Sequence, residues 1–185
     1  TGSKVSWCQL DLSDREQTAA IAGQLIKEYS GIDILVGNAG IDGFQPIEQI
    51  VEDYPDRVLM VNLTANITLP KHFLPYMRQN TWGRVIFCSS INERLVSAQE
   101  GMTAYAASKS ALSSVARTIA FEAGRDGVTA NSLVIGACLT DMLSGILDRL
   151  ETEQREGLTQ SMLSQNALGR FASPAEFEGV VQLLA

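Results

Sequence analysis

Val85-Ile86-Phe87-Cys88-Ser89-Ser90 is an apolar run that ends in two hydroxyls, and one loop later comes Tyr105-Ala106-Ala107-Ser108-Lys109. The first stretch reads as a buried strand. The second sets a tyrosine and a lysine four apart, so a helix presents both on one face. Ligands in α/β proteins bind at the ends of such strands, and Ser90 stands there with a hydroxyl for a substrate oxygen. An ammonium beside a phenol favours the phenolate. The expectation is that Lys109 lowers Tyr105 from the ordinary tyrosine value of about 10, making it a proton donor and acceptor near neutral pH. Taken alone, the pair also describes a plain helix surface and the serines a plain turn or cap.

The surrounding chain reads as strands alternating with helices. Lys4 to Leu10 reads as a short strand closed by Asp11-Leu12, after a loop at Thr1 and Gly2. Ser13-Asp14-Arg15-Glu16 reads as a capping box with Ser13 at the cap, opening a helix that runs to about Tyr29 and ends at Gly31. Ile32 to Val36 reads as a buried strand running into Gly37-Asn38-Ala39-Gly40, where glycines let a ligand approach the backbone. Asp53 is placed as the cap of a long helical region containing Asn62, which needs a partner if buried. Pro70 and Pro75 imply a kink or break there.

A polar loop, Asn92 to Met102, follows Ser90. A helix is expected over Thr103–Ala123, then a strand over Val128–Val134 and the segment Ile135-Gly136-Ala137-Cys138-Leu139-Thr140. Asp141 to Gln165 is loosely amphipathic, and Ser173-Pro174-Ala175-Glu176 is a second capping box. Alternating strands and helices of this length argue a parallel sheet with helices on both faces.

Composition limits the options. The chain has 185 residues, 45% of them hydrophobic and 19% charged, with a net charge of −7. That suits one globular domain with a real core. There is no basic stripe for nucleic acid and no apolar stretch long enough for a bilayer. Cys8, Cys88 and Cys138 are far apart and read as reduced thiols of a cytoplasmic protein, with Cys8 and Cys88 buried in strands. A single histidine, His72, gives little support to a metal site.

The order Asp11-Leu12, Asn38-Ala39-Gly40, Asn62, Ser90, Tyr105-x-x-x-Lys109, and Gly136 with Thr140 four later resembles the short-chain dehydrogenase/reductase family over essentially the whole chain. Leu168-Gly169-Arg170-Phe171 followed by Pro174-x-Glu176 also looks like its C-terminal region. The likeness is nearest to the 3-oxoacyl-carrier-protein reductase type. It implies a Rossmann-like, doubly wound parallel sheet in three α/β/α layers, one catalytic domain over 1–185, using NAD or NADP on a small alcohol or ketone.

By resemblance, Tyr105 would be the general acid/base. Lys109 would tune it and hold the nicotinamide ribose, Ser90 would orient the substrate oxygen, and Asn62 would hold a relay water. Asp11 and Leu12 would receive the adenine, and Asn38, Ala39 and Gly40 would line the adenosine side. Ser89 would lie against the nicotinamide ribose, and Ile135, Gly136, Cys138 and Thr140 would embrace the nicotinamide. A homodimer or homotetramer would form through the helices carrying Asn62 and Tyr105, with the small face of Ala104, Ala111 and Val115 at the contact.

The chain departs from the family pattern in several places. The glycine-rich phosphate turn and the last strand are not found, so the fold is expected to be incomplete at both ends and the sheet exposed. That absence also motivates the alternative of an inactive binding or regulatory member. Ile135 replaces the usual proline, Gly37 replaces the commoner asparagine, and the extra residues between Ser90 and Tyr105 are expected to reshape the substrate pocket.

Overall fold

The computed structural model describes residues 4–42, 45–94 and 101–185. Its elements are α1 (Arg15–Tyr29), β1 (Ile34–Gly37), α2 (Tyr54–Leu59), a π-helical turn (Met60–Thr64), α3 (Ala65–Gln79), β2 (Gly83–Ser90), α4 (Thr103–Ala123), β3 (Val128–Ile135), α5 (Asp141–Leu147), α6 (Thr152–Ser164) and α7 (Glu178–Leu184). The three strands form one parallel sheet in the order β1-β2-β3. Parallel neighbours need a crossover, and helices supply it each time.

One face of the sheet makes the core. Leu35, Val85 and Phe87 pack with Phe73 and Met77 of α3 and with Leu112, Ala116 and Ile119 of α4. Side chains alternate along a strand, so Ile34 and Val36 point to the other face. They stay 40% and 42% exposed, whereas Ile86 and Cys88 of β2 on the same face are buried. The expected exposure of the sheet is therefore seen at β1 and not at β2.

Several expectations are corrected. Lys4–Leu10 forms no strand, because a strand needs a ladder partner and no described residue supplies one. Val5 and Trp7 are 91% and 89% exposed, and Cys8 is exposed rather than buried. The α1 cap is Asp14, whose carboxylate accepts from the Gln17 amide at 2.9 Å, while Ser13 donates to Asp11 instead. Ser30, not Gly31, takes the left-handed position that ends α1. Asp53 caps α2 without a side-chain hydrogen bond. Neither Pro70 nor Pro75 ends α3, and the irregular turn lies earlier, at Met60–Thr64. Asp141 to Gln165 divides into α5 and α6. The capping box at Ser173 and Glu176 forms as read, opening a 3₁₀ turn before α7. Thr1 and Gly2, and the central part of the Asn92–Met102 loop, lie outside the described residues.

Candidate active site

β2 is the element that builds the site. It carries Ser89 and Ser90 to the C-terminal edge of the sheet, where α4 crosses behind them with Tyr105 and Lys109. A cleft of about 660 Å³ opens there, and Asn38, Ala39, Gly40, Ser89, Ser90, Tyr105, Lys109, Ile135, Gly136, Cys138 and Thr140 all line it. Met142, Leu143 and Ile146 of α5 and Met162 of α6 lie along its rim.

Ser90 and Tyr105 line the cleft together, and the Ser90 hydroxyl favours the ionised phenol. The Lys109 ammonium is buried, donates to the Cys88 carbonyl at 2.8 Å, and lies 5.6 Å from the Tyr105 ring centroid. The expected lowering of Tyr105 does not occur in this structure. Burial pushes the phenol above its ordinary value, the Ser90 hydroxyl pulls it down, and the Asp42 charge pushes it further up. Lys109 is itself pulled below its ordinary value by burial. A desolvated phenol gains little from an ammonium committed to a backbone carbonyl.

Asn62 is fully buried in the π-helical turn. Its Oδ1 accepts from the Ile41 amide at 2.8 Å, and its Nδ2 donates to the Ile41 carbonyl at 3.0 Å and to Ser108 Oγ at 3.1 Å. It therefore staples the turn after Gly40 to α4. The partners that a buried amide required are the Ile41 backbone and the Ser108 hydroxyl.

Gly40 sits close to two of the site's side chains. A Cβ there would stand 3.3 Å from Asn62 Oδ1 and 3.4 Å from Lys109 Nζ. At Gly37 a Cβ would fall 2.0 Å from Asn66 Oδ1, so Asn66 fills the space that a side chain at this position would take.

Ser89 is turned inward, donating to Glu93 Oε2 at 2.6 Å and lying 2.9 Å from the Lys109 carbonyl. Thr140 caps α5 by accepting from the Leu143 amide at 3.4 Å. Cys138 is bridged to Ala172, and burial, with the Glu176 charge, pushes its thiol up. Asp11 and Leu12 are not among the cleft residues, and the Asp11 carboxylate accepts from the Ser13 hydroxyl and amide.

Two acids were not singled out from the sequence. The Glu93 side chain is only 4% exposed. It accepts from Ser89, from Ser113 at 2.5 Å and from Arg94 at 3.0 Å, and Ser113 reaches on to Ser132 of β3. Burial pushes its carboxyl up, but the Ser113, Ser89 and Arg94 contacts outweigh it and hold Glu93 below its ordinary value. Asp42 lines the cleft, and its carbonyl accepts the Tyr54 hydroxyl at 2.7 Å. The only hint of either was a charge beside a glycine- or serine-rich turn.

The short chain dehydrogenase family model matches residues 1–151. The chain belongs to the short-chain dehydrogenase/reductase family. This family consists of NAD(P)-dependent oxidoreductases on a Rossmann fold, and NAD or NADP is the cofactor. The chain is 32% identical over 175 residues to 3-oxoacyl-[acyl-carrier-protein] reductase FabG of Rickettsia conorii, covering 95% of this chain and 67% of that protein. It is 30% identical over 184 residues to Nodulation protein G of Azospirillum brasilense, covering 100% of this chain and 71% of that one.

A crystal structure assigned as an NAD(P) dependent gluconate 5-dehydrogenase from Beutenbergia cavernae, with NADP at low occupancy, superposes with a TM-score of 0.84 at 30% identity. It covers 95% of this chain and 67% of that one. The cleft of this short-chain dehydrogenase offers room and polar groups for such a cofactor. Asn38–Gly40 and Ile135–Cys138 line the same cleft as the buried Lys109 ammonium, which has N–H donors beyond its bond to Cys88. Among the described residues no helix is long and apolar enough to cross a membrane, and no group of three metal-ligating side chains occurs.

Proposed function

We propose that this protein interconverts a small secondary alcohol and its ketone, with Tyr105 as the general acid/base. The observation that carries this reading is the convergence of Ser90, Tyr105 and Lys109 on one cleft, with the Lys109 ammonium buried and donating to the Cys88 carbonyl at 2.8 Å. NAD(P)H supplies the hydride when bound. Ser90 holds the carbonyl oxygen, and the Tyr105 hydroxyl gives it the proton, so the ketone leaves as the alcohol. In reverse, the tyrosinate takes the alcohol proton.

Lys109 offers its remaining N–H donors to the nicotinamide ribose hydroxyls. Asn62 fixes the Gly40–Ile41 backbone beside them and helps return the proton toward solvent. Ile135, Gly136, Cys138 and Thr140 shape the nicotinamide wall, and Asn38, Ala39 and Gly40 face the ribose–adenosine side.

Tyr105→Phe tests the assignment. The variant keeps cofactor binding and loses about 10²–10⁴-fold in kcat, the range for a general acid/base. An unchanged kcat contradicts it.

We extend the reading to a homodimer or homotetramer. Ala104 is buried and Val115 packs on the core, so the small face of α4 is turned inward. Phe121 of α4, 90% exposed, and Ile67 of α3, 48% exposed, are the apolar groups left for a contact.

A further inference from the structure

The cleft walls carry a charge pattern that bears on the substrate, and the inference rests on the oxidoreductase reading above. Met102, Met142, Ile146 and Met162 make the substrate side apolar. Two carboxylates, Asp42 and Asp141, stand among them. Among the described residues, Lys109 is the only cation lining the cleft, and its Nζ is already tied to the Cys88 carbonyl.

Asp42 is the better placed of the two acids. The Tyr54 hydroxyl donates to its carbonyl at 2.7 Å and lies 3.3 Å from its carboxylate, so the residue is held against the wall. Its charge is felt at the Tyr105 hydroxyl, where the reacting oxygen must sit.

A substrate carboxylate entering this space would leave water, meet like charge, and find no guanidinium to pair with. Uncompensated charges in confined sites are strongly disfavoured, and like-charge juxtaposition is a means of rejecting wrong substrates. Gluconate, named for the structural neighbour, is such a carboxylate.

We propose that the substrate is an uncharged, largely apolar ketone or secondary alcohol, and that Asp42 excludes carboxylate substrates of the same shape. The reduction is the balanced one given above: hydride from NAD(P)H to the carbonyl carbon, proton from Tyr105 to its oxygen.

A matched pair of probes tests this on the full-length protein with NADH or NADPH. Methyl 4-oxocyclohexanecarboxylate and 4-oxocyclohexanecarboxylate share one ring and one ketone and differ in charge. Their dissociation constants for the cofactor complex, by calorimetry, and their kcat/KM are measured in wild type and Asp42→Asn.

The ester is expected to bind and turn over at least about tenfold better, a difference of about 1.4 kcal/mol. Asp42→Asn is expected to narrow that gap through a gain on the carboxylate. Equal or tighter binding of the carboxylate, binding of neither probe, or a gap untouched by Asp42→Asn would overturn the proposal. Preferential binding of the ester without reduction of either probe supports the charge filter and fails the oxidoreductase reading, so the two are separable.

Discussion

At Tyr105, burial and the Asp42 charge act against the Ser90 hydroxyl, and the phenol stays above its ordinary value. Alcohol oxidation needs the tyrosinate, so activity rises with pH through this ionisation. Removing the Asp42 charge makes the tyrosinate easier to form. Asp42→Asn therefore moves the rising limb of kcat/KM to lower pH, and Ser90→Ala, which removes the hydroxyl that favours the ionised phenol, moves it to higher pH. The pH profile of alcohol oxidation in the two variants checks both signs, and an opposite shift in either contradicts the electrostatic account. Tyr105, Lys109, Ser90 and Asn62 were legible because their types and spacing are tied to a helix period, a strand end and a buried amide. Asp42 and Glu93 were not, since a lone carboxylate in a polar loop has no period to betray its partners. The tuning of Tyr105 was misjudged for a related reason. Spacing tells that Lys109 is near, but not that burial dominates at the phenol or that the ammonium is buried against the Cys88 carbonyl.

Glu93 works between elements. It joins the end of β2 through Ser89 to α4 through Ser113, and Ser113 continues to β3 through Ser132. Ser90 and Tyr105 are carried by the two elements this carboxylate ties together. Glu93→Ala strands hydroxyls that are buried or nearly so and is expected to cost about 1–3 kcal/mol, with Glu93→Gln costing less. The carboxyl is held below its ordinary value. Its contribution is therefore present above that value and lost as pH falls through the lowered one. Urea denaturation of wild type and Glu93→Gln at neutral and acid pH measures this. A stability difference that does not shrink toward acid contradicts the role. The element boundaries show what pattern can and cannot convey. α4 runs over Thr103–Ala123 as its apolar period indicated, whereas Lys4–Leu10 has a strand's alternation and no ladder to join. The π-helical turn at Met60–Thr64 has no sequence period of its own, yet it holds Asn62 beside the Gly40 turn.

For the whole molecule, the parallel three-stranded sheet and its crossover helices follow from alternating strand and helix patterns, and they place Ser90, Tyr105 and Lys109 at one sheet edge. Asp11 and Leu12, the expected adenine contacts, are not among the residues lining the cleft, and the segment before them forms no strand. The exposed Phe121 on α4 leads to an assembly prediction: the full-length protein sediments as a dimer or tetramer, and Phe121→Asp shifts it toward monomer. A monomer in wild type contradicts the proposed contact. Hydride exchange with a nicotinamide beside Tyr105 and Lys109 is the claim on which the rest depends. Nicotinamide fluorescence during titration of the full-length protein into NADH and NADPH tests it most directly. A saturable change with at least one of them is predicted, and its absence with both would contradict the account.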